Sequence, residues 1–158
     1  MRIAELVTAG STNMLVMKHA DMQRVLEHCD REYPNEACGI LAGHESTVET
    51  VFPMTNARPS PHYYEMDPEE QFRVMKEIRR AGLAMVGIYH SHTGGPAYPS
   101  SVDVEKAYWP GTALPNYPDA SYLIVTLLDR KKPAARVFTI AEKQVVETGL
   151  LIAPEVNS

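Results

Sequence analysis

The run Leu83-Ala84-Met85-Val86-Gly87-Ile88-Tyr89-His90-Ser91-His92 decides how this chain folds. Residues 83–89 are almost continuously apolar, the pattern of a strand buried on both faces near the middle of a sheet. In an extended chain, residues two apart point the same way. His90 and His92 therefore present two imidazoles side by side at the strand's end. The loop 93–99 is rich in Gly and Pro, and Gly94 and Gly95 give it freedom to fold back. A helix is predicted over 100–108, with Asp103 in its first turn.

Upstream, the apolar run 14–17 reads as a short strand. Met22, Val25, Leu26, Cys29 and Tyr33 recur at helical spacing, so a helix is predicted over 20–33, stopped by Pro34. Residues 37–42 read as a buried strand and 47–54 as its hairpin partner. The Pro-, Asn- and Tyr-rich stretch 55–66 is an ordered loop or irregular strand. Asp67-Pro68-Glu69-Glu70 opens a second helix, with Asp67 as cap and Glu70 completing a capping box. That helix places Phe72, Met75 and Ile78 on one face and stops at Gly82. Downstream, Pro110, Pro115 and Pro118 make 110–120 a loop. Residues 122–128 are a second strongly apolar strand, and 135–141 and 144–152 are two more. Strands alternate with helices early and pair locally late, so the fold class is α/β, a mixed central sheet flanked by helices.

The length of 158 residues fits a single domain over 1–158 with one substantial core. An apolar fraction of 44% and a charged fraction of 22% are those of an ordinary globular protein. A net charge of -5 argues against a nucleic-acid partner, and Arg130-Lys131-Lys132 reads as a charged turn before a proline. No apolar run is long enough to span a membrane. The N-terminus lacks the pattern of a secretory leader, which makes a cytoplasmic location the expectation. Cys29 and Cys38 are too few for a disulfide framework.

Two imidazoles and one carboxylate, from His90, His92 and Asp103, are good zinc ligands that leave a fourth position open for water. Bound zinc acidifies that water and polarises a carbonyl oxygen. Such a site also needs a base and an oxyanion donor. Glu36, at the start of the run 37–42, is the base candidate, and Ser100, within a turn of Asp103, is the donor candidate. Blander readings stand beside these. The histidines could simply end a strand, Ser100-x-x-Asp103 is itself a capping pattern, and Glu36 could be a solvated loop carboxylate. On the capping reading, Asp103 cannot easily serve fully as both cap and ligand.

Glu36, then His90-Ser91-His92, then Ser100 and Asp103 resembles the JAMM (MPN-plus) metalloprotease motif in full. The resemblance spans roughly residues 19–140. It includes Glu36-Ala37-Cys38-Gly39-Ile40-Leu41-Ala42-Gly43, Met54-Thr55-Asn56-Ala57, Ser60-Pro61 and Ala97-Tyr98-Pro99-Ser100. Within the family the chain is most similar to small bacterial members acting on ubiquitin-like sulfur-carrier proteins. Thr93, where a proline often follows the second histidine, resembles the same branch. The resemblance implies one Zn2+ held by His90, His92 and Asp103, with Glu36 as general base and Ser100 stabilising the tetrahedral intermediate. It also implies a cytidine-deaminase-like α/β/α fold.

The reaction so implied is hydrolysis of an amide bond at the C-terminal glycine of a ubiquitin-like sulfur-carrier protein. The released group could be cysteine, a processed extension, or a lysine in an isopeptide bond; cysteine is the branch's choice. The carrier's tail is expected beside a strand edge, walled by residues 55–65 or 93–99. A non-catalytic scaffold is the competing class, and the intact ligand set argues against it. A zinc deaminase would need a Cys-x-x-Cys pair that this chain lacks. Cys38 reads as a buried small residue, and His19, His28, His44 and His62 as surface residues, of which His62 best fits substrate contact.

Overall fold

The computed structural model describes residues 14–154. The reading of the N-terminus as lacking a leader falls outside them. The elements run β1 Met14–Lys18, α1 His19–Glu32, β2 Cys38–His44, β3 Thr47–Met54, α2 Pro68–Arg80, β4 Ala84–His92, α3 Ser101–Lys106, β5 Ser121–Thr126, β6 Ala134–Ala141 and β7 Gln144–Ala153. The strands form one mixed sheet in the order β1-β3-β2-β4-β5-β6-β7. It closes on itself because β1 pairs in parallel with both β7 and β3. The sequence pattern gave the mixed sheet and its flanking helices but not the closure, which depends on β1 meeting β7 across most of the chain. No helix among the described residues is long and apolar enough to cross a membrane.

β4 sits in the middle, antiparallel to β2 and parallel to β5. Helices cover both of its faces. On one side Met22, Val25, Leu26 and Cys29 of α1 pack with Leu41, Tyr89, Leu123 and Val137. On the other, Val74 and Ile78 of α2 pack with Ile40, Ile88 and Tyr122. Each large apolar side chain so buried contributes roughly 1.5–3 kcal/mol before cavity effects. Tyr89 shows how tight the α1 side is. It lies across Gly39, where an added Cβ would come 2.1 Å from Tyr89 Cε1. Its hydroxyl meets His28 Nδ1 at 2.6 Å. His28 is thus a buried residue, 4% exposed, and not the surface histidine expected. A buried imidazole is tolerated there because Tyr89 supplies a polar partner.

Three local expectations change. Asp67 caps α2 as expected, accepting from Glu69 and Glu70 N–H, but Glu70 does not close a capping box. Its carboxylate instead accepts from Thr55, from N–H at 2.6 Å and from Oγ1 at 2.9 Å, tying α2 to the start of loop 55–66. The helix read over 100–108 is only Ser101–Lys106. Asn116 takes the carbonyls that would otherwise continue it, bonding those of Lys106, Ala107 and Tyr108. Gly94 and Gly95 neither adopt positive φ nor lie under a close neighbour, so the loop's path does not need them. It is fixed by Gly95 O, which accepts from Thr126 Oγ1, and by Pro96 O.

Candidate active site

β4 runs through both histidines, so strand alternation sends His90 and His92 to one face and Ser91 to the other. α3 then brings Asp103 back over them. Nε2 of His90 lies 3.1 Å from Nε2 of His92, and Asp103 Oδ2 lies 3.2 and 3.1 Å from the two nitrogens. Three ligand atoms thus form a nearly equilateral triangle. Zinc bonds of about 2.0–2.1 Å at tetrahedral angles call for ligand separations of about 3.3 Å, so the set fits such an ion.

The protons argue the same way. Nδ1 of His92 donates to Pro96 O at 2.8 Å, a carbonyl that can only accept, which leaves a lone pair on Nε2 of the neutral ring. Nδ1 of His90 is buried with no hydrogen-bond partner among the described residues. That ring is held by packing, with Tyr64 stacked on it at 4.8 Å between centroids and 28° between planes. Burial works against charge on Asp103, but its contacts with His90 and His92 outweigh this and hold its carboxyl well below the usual range. Burial lowers the pKa of His90. For His92 burial works downward too, but the bonds to Asp103 and Pro96 prevail and raise it.

Glu36 stands just before β2, whose Cys38 pairs with His90 across the strands. It is 4% exposed, not a solvated loop carboxylate. It offers an oxygen within 4.8 Å of the ligand nitrogens of both histidines, so a second possible metal-holding set is Glu36, His90 and His92. Asp103 Oδ2 is within hydrogen-bond distance of both histidines, and Glu36 has no such contact with them among the described residues. Burial pushes the Glu36 carboxyl up to about 7, with His92 and Lys106 opposing and Asp103 adding. A base of that pKa is suited to moving protons near neutral pH.

Ser100 caps α3. Its Oγ accepts from Asp103 N–H at 3.1 Å while Asp103 Oδ2 accepts from Ser100 N–H at 2.9 Å. Asp103 therefore serves as cap and as neighbour of the histidines at once, through the same oxygen, which the sequence reading held to be difficult. The Ser100 hydroxyl, on an exposed residue, keeps its own proton to donate. Cys38 is fully buried, and burial pushes its thiol up to about 12, which disfavours the thiolate that a nucleophile needs.

A model of prokaryotic homologues of the JAB domain matches residues 19–141. The chain belongs to this prokaryotic JAB family. It is 37% identical to the CysO-cysteine peptidase of Mycobacterium tuberculosis over 144 residues, covering 90% of this chain and 93% of that protein. It is 40% identical to a probable TtuB-protein conjugate cleaving protease of Thermus thermophilus over 89 residues, 56% of this chain and 60% of the relative. A Desulfitobacterium hafniense protein solved in solution shares the fold with a TM-score of 0.77 and 35% identity, covering 90% and 95% of the two chains.

Three features of this JAB-family site escaped the sequence reading. Asn56 holds loop 55–65 against the segment that carries Glu36, donating to Glu36 O and Tyr63 O and accepting from Arg58 and Glu65 N–H. Tyr64 backs His90. Lys106 stands one turn beyond Asp103, and that i, i+3 spacing on one helix face was the available signal. The other two depend on where a loop goes, which no local pattern records. His62 is exposed on the same loop, and no hydrogen bond, ion pair or ring contact joins its side chain to the histidine cluster.

Proposed function

We propose that this chain is a zinc hydrolase of the JAMM type, one domain over its length. It would act in the cytoplasm, cleaving the amide bond at the C-terminal glycine of a ubiquitin-like sulfur carrier and releasing cysteine. Its fold is read as a cytidine-deaminase-like variant with helices on both sheet faces. The observation that carries the reading is the triangle of His90, His92 and Asp103 atoms with the Glu36 carboxylate beside it. The mycobacterial relative's name supplies the substrate class.

His90, His92 and Asp103 would hold the ion, which when bound supplies a Lewis acid and an acidified water. Glu36 takes a proton from the attacking water and returns it to the leaving amine, a task suited to a carboxyl near pH 7. Ser100 donates its hydroxyl proton to the oxygen that gains charge as the carbonyl is attacked. The segments 55–65 and 93–99 wall the approach, and Thr93 Oγ1 links them by donating to Pro61 O at 3.2 Å. Such a release of cysteine would place the enzyme at the end of cysteine assembly on the carrier.

The test is incubation of zinc-loaded protein with a CysO–cysteine adduct and with cysteine adducts of the host's own ubiquitin-like proteins, read by mass spectrometry. Loss of one cysteine from a carrier supports the reading. A purified chain that takes up no stoichiometric zinc, or that leaves every adduct intact, removes it.

A further inference from the structure

Lys106 is a cation with no carboxylate of its own beside a site built from carboxylates and imidazoles. Its ammonium sits 3.3 Å from the centroid of the Tyr64 ring and 4.5 Å from that of Tyr63, and it donates to Tyr64 O. Among the described residues it forms no ion pair, although Asp103, Glu36 and Glu65 all lie near enough to act on its charge. The two rings and the carbonyl fix its position, leaving N–H groups to spare. It borders a cavity of about 220 Å³ whose walls include Asp103, Glu65, Ile88, Tyr122 and Gln71. Tyr117, from loop 109–120, closes one side, where its hydroxyl accepts from Gln71 Nε2 at 2.5 Å. The cavity is small and touches Asp103, and Lys106 supplies its one cation, beside the carboxylates of Asp103 and Glu65.

We propose that this cavity receives the leaving amino acid and that Lys106 pairs with its free α-carboxylate. Lys106 is then a specificity residue that selects single amino acids on a carrier's C-terminus over amines of folded proteins. A lysine in an isopeptide bond brings no carboxylate to this distance from the scissile bond. The inference rests on the proposed reaction and adds to it the recognition of the released group.

The experiment compares two substrates: CysO ligated through its C-terminal glycine to cysteine, and the same carrier ligated to cysteinamide. Zinc-loaded wild type should prefer the free carboxylate by about tenfold or more in kcat/KM, the scale of one charge-assisted hydrogen bond. Lys106→Met should bring the two within about twofold, chiefly through KM for the carboxylate substrate, while still cleaving the amide. Lys106→Arg should keep much of the preference. Lys143→Met, whose cation lies over Tyr108 in the neighbouring groove, should leave the ratio at the wild-type value. If Lys106 merely balances Asp103 and Glu36, Lys106→Met will lower both substrates equally, and the inference fails. Equal cleavage of acid and amide by wild type overturns it as well, leaving the proposed reaction intact. No cleavage of either substrate overturns both.

Discussion

The Ser91 hydroxyl accepts the Ala37 N–H at 2.8 Å, on the face of β4 opposite the two histidines, while Ser91 N–H donates to Ala37 O at 3.1 Å. The residue between the two histidines thus clamps the residue that follows Glu36. The positions of the histidines and of Glu36 are therefore tied together where β2 and β4 pair. Ser91→Ala would leave a buried N–H unsatisfied, costing about 1–3 kcal/mol. A lower denaturant midpoint at unchanged slope, normal zinc content and reduced turnover are the expected results. Turnover at the wild-type level would show that Glu36 is placed by other contacts, with Ser60 O and Asn56 the first to consider.

Among the described residues His90 Nδ1 has no hydrogen-bond partner, so the stacked Tyr64, with the Asp103 contact at Nε2, orients its ring. Partners that orient a ligand typically account for 10–100-fold in metal affinity. Tyr64→Ala should therefore weaken zinc binding by about that factor, measured by competition with a chromogenic chelator. Tyr64→Phe keeps the stacked ring and should bind within a few-fold of wild type. The contrast with His92, whose Nδ1 is fixed by Pro96 O, makes Tyr64 specific to one ligand.

How much of this was legible in sequence follows from the range of the forces involved. The pair His90 and His92 could be read because strand alternation is a property of neighbouring residues. Asp103 could be read because a helix cap announces itself within one turn. Glu36 could be named from family resemblance but not placed. Its approach depends on the register of Cys38 against His90, which is set by the whole β2–β4 pairing. The closed sheet, the burial of His28 and the stacking of Tyr64 depend on segments far apart in the chain. Glu70 was misassigned for a related reason. The capping pattern was present, but Thr55 offered two donors to the same carboxylate.

Glu36 and His92 should separate on substitution. Glu36→Gln keeps the size of the side chain and removes the base, so zinc content should stay near one per chain while turnover falls by about 10²–10⁴-fold. His92→Ala removes a ligand atom, and both zinc and turnover should be lost. Metal analysis of the two purified variants beside a single-turnover assay decides it. Loss of zinc in Glu36→Gln would instead make Glu36 a ligand, in line with the wider set it forms with His90 and His92.

His28 should give the folded state a pH dependence of known sign. Burial lowers its pKa from the ordinary value near 6.5, with Glu32 opposing and Arg31 adding. As pH falls below about 6.5, the unfolded chain takes up a proton that the folded chain refuses. Stability from this group is complete above that pH and declines below it, down to the folded-state pKa. The slope is at most about 1.4 kcal/mol per pH unit. In His28→Asn, an amide can still meet the Tyr89 hydroxyl but does not titrate. Urea midpoints between pH 5 and 8 should fall less steeply toward acid in that variant than in wild type.

Ser100 holds two tasks that two substitutions can pull apart. Its Oγ caps α3 by accepting from Asp103 N–H, and in the proposed mechanism its proton goes to the developing oxyanion. Ser100→Ala removes both, and should cost about 0.5–2 kcal/mol of stability together with about 10²–10³-fold in kcat. Asn ranks with Ser as an N-cap, so Ser100→Asn should recover most of the stability. It should not recover kcat, because its amide is longer and branched and cannot put a donor where the hydroxyl proton lies. Thermal melts with and without zinc, set beside kcat for both variants, read the two tasks independently. A Ser100→Asn enzyme of wild-type kcat would leave Ser100 with the cap alone, and oxyanion stabilisation would then fall to the metal.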